Sequence, residues 1–146
     1  MTNQTVVSRG ILSYEEMIHL NDFVLSEIKN QNPNAIFDGI YFSPFHPNAN
    51  VEAYRKDSDC RKPKPGMLLQ AQEKFNIDFK KSFIIGDRLT DIYAGKSVGC
   101  QGILLLTGSE NKPLIESGLD LKQEYLIPDY KFNDLYEASL FIEKNK

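Results

Sequence analysis

Two short segments hold the residues best suited to chemistry. Ile84-Ile-Gly-Asp-Arg-Leu-Thr-Asp91 sets two carboxylates, Asp87 and Asp91, around what reads as a strand-to-helix turn. Hard oxygen ligands at a strand end suit Mg2+, which commonly takes one or two protein carboxylates and leaves its other positions to phosphate and water. Cys60-Arg-Lys-Pro-Lys-Pro-Gly-Met67 gathers Arg61, Lys62 and Lys64 in a stretch stiffened by prolines. Their charges would neutralise a phosphate, and an arginine can also grip its oxygens with a bidentate fork. Each group has a plain structural reading as well. An aspartate ahead of a helix is often only an N-cap, and clustered lysines are often solvated.

The elements that must present these groups follow from the hydrophobic pattern. Ser13 and Glu16 have capping-box spacing and open a helix over 13–29, with Met17, Leu20, Val24 and Ile28 on its apolar face. Asn32, Pro33 and Asn34 end it. Residues 38–42 read as a strand and 43–64 as a long polar loop, a length that usually means function or mobility. Pro65 suits the first turn of the next helix, whose buried side is Met67, Leu68, Ala71 and Phe75. Residues 82–85 form a short apolar strand ending at Gly86 and Asp87, and a helix from Thr90 or Asp91 runs to Gly99. Residues 101–106 are too continuously apolar for a half-exposed strand, so burial on both faces of a parallel sheet is expected. A shorter strand over 125–127 and a closing helix over 132–143 complete an α/β, Rossmann-like doubly wound parallel sheet. Ligands of such sheets bind at the carboxyl ends of the strands, which places Ser43, Asp87 and Thr107 near one rim.

At 146 residues, 41% hydrophobic and 25% charged, the chain suits a single globular domain over 1–146 with a real core. A net charge of -3 provides no electrostatic footprint for nucleic acid, so any bound anion must be held by a local cluster. Two cysteines and a first ten residues unlike a signal peptide make a reducing cytoplasm the simplest setting. No stretch approaches the roughly 18 consecutive apolar residues of a membrane span.

The two segments, with Thr2-Asn-Gln4 and Ser8-Arg-Gly10, resemble the D-glycero-D-manno-heptose 1,7-bisphosphate phosphatases and the related histidinol-phosphatases of the haloacid dehalogenase superfamily. The likeness runs from residue 2 to about residue 108 and rests chiefly on CRKPKPGM followed by GDRLTD. It implies a Mg2+-dependent hydrolysis of a small phosphate monoester through an aspartyl-phosphate. It also implies a phosphate-binding hydroxyl at Thr2 with Asn3 and Gln4 beside it, and a phosphoryl-stabilising lysine at Lys62. Arg61 matches the neighbouring substrate-recognising arginine. Asp87 matches the Mg2+ carboxylate, and Asp91 the second acidic position that supports the loop and metal shell. Arg88 stands where many relatives have lysine and is a candidate contact to a substrate oxygen. Lys64 has no assigned role, and Arg55 and Lys56 read as surface charge.

Relatives commonly build a Zn2+ site at the positions matching Ser43, Phe45, Ser58 and Cys60, of which only Cys60 can ligate as its relatives do. The resemblance therefore implies a degenerate site, no zinc and a less rigid loop. His46 lies one place too late, His19 has no identifiable partner, and Cys100 reads as a small buried residue. The two catalytic aspartates of the family normally follow a first, central strand that this sequence does not contain, so an N-terminally incomplete domain with its first strands missing is expected. Asp57-Ser-Asp59 has the D-x-D spacing, but polar Tyr54-Arg-Lys56 precedes it in place of an apolar strand. These 146 residues alone are then expected to be inactive, with the nucleophile supplied by a longer form or by another chain. Three readings stay open: a heptose-bisphosphate-type phosphatase, a histidinol-phosphate phosphatase, and a non-catalytic remnant that binds phosphate or a protein partner.

Overall fold

In a computed structural model of the chain, residues 1–107 and 120–145 are described; Gly108, where the family likeness fades, lies outside them. The chain falls into two compact units, Met1–Arg61 and Lys62–Lys146.

In the first unit, strand β1 (Thr2–Asn3) leads into the short helix α1 (Thr5–Ser8) and then the long helix α2 (Tyr14–Gln31). The expected capping box at the start of α2 is present. Ser13 Oγ accepts the Glu16 N–H at 3.1 Å, and the Glu16 carboxylate accepts the Ser13 N–H at 2.7 Å. Those bonds from Ser13 hold the Glu16 carboxyl below its usual range. The expected apolar face of α2 is covered only at its start: Met17 is 2% exposed, whereas Leu20, Val24 and Ile28 are exposed. The strand expected over 38–42 contracts to β2 (Phe42–Ser43), because only its end finds a partner. There β1 pairs in parallel, with Thr2 opposite Phe42 and Asn3 opposite Ser43. Val7, Met17 and Ala49 form the apolar interior of this unit, and Ser8 and Ser43 are buried with them.

The second unit opens with α3 (Gly66–Phe75), which Asn76 closes in the left-handed conformation at φ 51°. It continues through β3 (Phe83–Gly86), α4 (Leu89–Lys96) and β4 (Gln101–Leu105) to β5 (Tyr130–Phe132) and α5 (Leu135–Lys144). The three strands pair in parallel in the order β3-β4-β5. Central β4 is buried at Gly102, Ile103 and Leu104, as its continuous apolar run implied, and Ile92, Ala94 and Ala138 close the core around it.

Near the carboxyl terminus the expected boundaries shift. Residues 125–127 are not a strand; Gln123–Leu126 form a 3-10 turn, with Tyr125 edge-on to Tyr93 at 5.6 Å. Pro128 has no N–H for a ladder, and pairing resumes only after Asp129. Asp129 ties itself to Gly102 twice, its N–H donating to the Gly102 carbonyl at 2.8 Å and its carboxylate accepting the Gly102 N–H at 2.6 Å. The last helix starts at Leu135 rather than residue 132, since the Asp134 side chain caps it by accepting the Glu137 N–H at 2.9 Å.

Candidate active site

The second motif lies where β3 turns into α4. Gly86 ends the strand, and a Cβ there would overlap the Asp91 side chain, so glycine makes room for that carboxylate. Arg88 is the N-cap of α4. Its guanidinium has no acceptor with which to cap a helix; instead Asp91 reaches back, and its Oδ2 accepts the Arg88 N–H at 3.2 Å. Oδ1 of the same carboxylate accepts from Lys62 Nζ, and the two side chains are only 10% and 8% exposed. Asp91 thus joins the lysine of one motif to the helix start of the other. Burying such a pair is tolerable because both oxygens are engaged.

Asp87 follows β3 directly and is half-buried; among the described residues no hydrogen bond or ion pair reaches its carboxylate. The Arg88 side chain is exposed. The direct bond of Asp91 to Lys62 was not foreseen from the sequence. Proline stiffening around Lys62 was the only hint of a fixed lysine.

Thr2, Asn3, Gln4 and Arg61 belong to the first unit. Thr2 and Asn3 form the short strand β1, and the Gln4 N–H donates to the Ser43 carbonyl at 2.8 Å. Ser43 itself is 0% exposed, and its hydroxyl has no hydrogen-bond partner among the described residues. Arg61 Nη1 donates to the Phe45 carbonyl at 3.2 Å.

The loop before Arg61 is tied together internally. Phe45 faces Tyr54 at 6.1 Å between ring centres, with Lys56 Nζ 4.1 Å above its own ring. His46 Nδ1 accepts the Asn48 N–H at 3.0 Å, Ser58 Oγ accepts the Cys60 N–H at 3.2 Å, and Cys60 is not in a disulfide. Arg55, read from sequence as surface charge, donates from Nε to the Ala49 carbonyl at 2.8 Å and from Nη2 to the Asn50 carbonyl at 3.4 Å. Backbone carbonyls leave no mark in a sequence, so nothing there could have revealed this role. Asp57 and Asp59 are exposed, outside any strand or helix. His19 is exposed on α2, and burial pushes the Cys100 thiol up to about 11. Among the described residues no group of three or more His, Cys, Asp or Glu is placed to hold a metal by itself. No helix among them is long and apolar enough to cross a membrane.

The HAD-hydrolase-like family profile matches residues 59–138, which include both motifs and the sheet that carries the second. The D-glycero-beta-D-manno-heptose-1,7-bisphosphate 7-phosphatase of Photorhabdus laumondii is 44% identical over 94 residues, covering 64% of this chain and 49% of that protein. The D-glycero-D-manno-heptose-1,7-bisphosphate 7-phosphatase of Chlorobaculum tepidum is 36% identical over 143 residues, covering 94% of this chain and 68% of that one. The chain therefore spans about half to two thirds of the length of these relatives. The solved structure of the D,D-heptose 1,7-bisphosphate phosphatase from B. bronchiseptica, complexed with magnesium and phosphate, superposes with a TM-score of 0.76 at 23% identity. That superposition covers 99% of this chain and 72% of the other, and it agrees with the α/β architecture expected from sequence. Motif, fold and relatives point the same way: the chain belongs to the HAD-like hydrolase family.

Proposed function

We propose that these residues form the phosphate- and metal-handling part of a phosphate-monoester hydrolase acting on a sugar phosphate of the D-glycero-D-manno-heptose 1,7-bisphosphate type. The observation that carries this reading is the buried pair of Lys62 and Asp91. A lysine fixed by a carboxylate that is itself bonded to a helix start needs little reorganisation to meet negative charge on a phosphoryl group. The names of the relatives at 44% and 36% identity support the substrate class, and the magnesium and phosphate of the B. bronchiseptica structure support the ligands.

In this reading Lys62 stabilises the phosphoryl oxygens, and Thr2, with Asn3 and Gln4 beside it, keeps the phosphate-binding role that the family resemblance implies. Arg61 and Arg88 contact substrate oxygens. Asp87 would hold Mg2+: it offers a hard carboxylate at the end of β3, and this ion needs only one or two such protein ligands. Asp91 supports that position by holding Lys62 and the Arg88 N–H. A bound Mg2+ would supply charge stabilisation to the phosphoryl oxygens. The nucleophilic aspartate and the general acid are assigned to residues outside these 146, since Asp57 and Asp59 lie exposed with no strand to present them. That same shortage favours, as a second reading, a phosphate-binding protein without turnover.

Phosphate release from heptose 1,7-bisphosphate and histidinol phosphate, measured with Mg2+ on protein expressed from the native gene, separates the readings. Turnover of the heptose ester, lost in Asp87→Asn, is the expected result. Binding of Mg2+ and phosphate without release from any ester would replace the enzyme with the binding protein.

A further inference from the structure

We propose that Arg55 and Phe45 are positioning residues for Arg61, a role that rests on the substrate contact assigned to Arg61 above. Arg55 spans two consecutive carbonyls, Ala49 at 2.8 Å and Asn50 at 3.4 Å, using the fixed fork of its guanidinium. The same stretch is fastened from its other side, because the Asn50 and Val51 N–H groups donate to the Ser8 carbonyl at 2.9 and 3.0 Å. Ala49 is buried between these ties. A backbone bridge pairs His46 with Arg55, and the His46 N–H donates to the Tyr54 carbonyl at 3.1 Å. This bridge sets Tyr54 and Lys56 against the Phe45 ring.

With its ring held in this way, Phe45 has a fixed carbonyl, and that carbonyl accepts from Arg61 Nη1 across 16 residues of sequence. One guanidinium nitrogen committed to a fixed acceptor restricts where the planar group can point. Arg61 also precedes Lys62 directly in the chain. The loop therefore sets the direction of the arginine next to the phosphoryl-stabilising lysine.

The test is nuclear magnetic resonance on the 15N-labelled chain, comparing the native protein with Arg55→Ala, Arg55→Lys and Phe45→Ala. Two signals are read: amide hydrogen exchange at His46, Asn50 and Val51, and rotation of the Arg61 Nη groups. In Arg55→Ala, exchange at these amides should accelerate about tenfold, as expected for losing a hydrogen bond to a charged group. The Arg61 Nη signals should average together. Lysine can reach one carbonyl but not both, so Arg55→Lys should restore part of each effect, and Phe45→Ala should free Arg61 with less change at Asn50. An Arg61 side chain equally restrained in all three variants overturns the proposal, including the case in which the loop opens and Arg61 does not respond. Inorganic phosphate titrated into the native protein tests the substrate reading separately: no response of Arg61 would remove that reading, while the comparison among variants would still decide whether Arg55 and Phe45 orient the side chain.

Discussion

The loop over 43–61 and the β3–α4 turn hold functional candidates by opposite means. The turn is built from regular structure: a parallel strand fixes its start, a helix fixes its end, and one carboxylate, Asp91, joins the helix to Lys62. The loop has almost no regular structure and is held by side chains that reach backbone carbonyls, chiefly Arg55 and Arg61. The first kind of scaffold concentrates its stability in a few buried groups. The second spreads it over many partly exposed ones, so single changes in the loop should redirect side chains more than they unfold the unit.

The largest effect is expected at Asp91. Asp91→Ala leaves the buried Lys62 ammonium unpaired and the Arg88 N–H without its acceptor, which should cost about 3–5 kcal/mol in urea unfolding. Ile103→Ala at the fully buried centre of β4 should cost about 2–5 kcal/mol by the same measurement. A loss at either site no larger than that of an exposed loop residue such as Glu52 would break the contrast between turn and loop. Ser13→Ala, which removes the α2 cap, should cost about 1 kcal/mol.

Acid should weaken the second unit in part through Asp129. Burial works to raise this carboxyl, but the hydrogen bonds from Lys96 and the Gly102 N–H, with the Lys96 charge, outweigh it and hold the pKa below the ordinary 3.8. A depressed folded-state value means that the stabilisation is complete above 3.8 and fades as pH falls through the folded value. Asp129→Asn should therefore flatten the acid limb of the stability curve, and an unchanged limb would remove Asp129 from the account. The smallest effect is expected at Ser43, whose buried hydroxyl lacks a partner among the described residues: Ser43→Ala should be neutral or slightly stabilising in thermal unfolding.

What could be read in advance follows the same division. The capping box of α2, the buried run of β4 and the glycine–aspartate turn depend on local spacing, so the residue types announce them. The apolar stripe of α2 was legible too, but not which of its residues would be covered, because burial depends on what packs there and Met17 alone is enclosed. Residues 125–127 had the composition of a strand, yet Pro128 and the double tie of Asp129 to Gly102 delayed pairing to Tyr130. At the site, the carboxylates and Lys62 were visible as motifs. Their bond through Asp91, and the use of Arg55 as a fastener, depend on tertiary geometry and on carbonyl acceptors that every residue possesses.

The central claim is that the end of β3 and the lysine held beside it handle phosphate and magnesium. Calorimetric titration of the purified chain with inorganic phosphate, in the presence and absence of Mg2+, tests it most directly. The account predicts saturable phosphate binding that strengthens with Mg2+, with Asp87→Asn losing the magnesium dependence and Lys62→Ala losing most of the phosphate affinity. Equal binding by the native protein and both variants, with or without Mg2+, would contradict it.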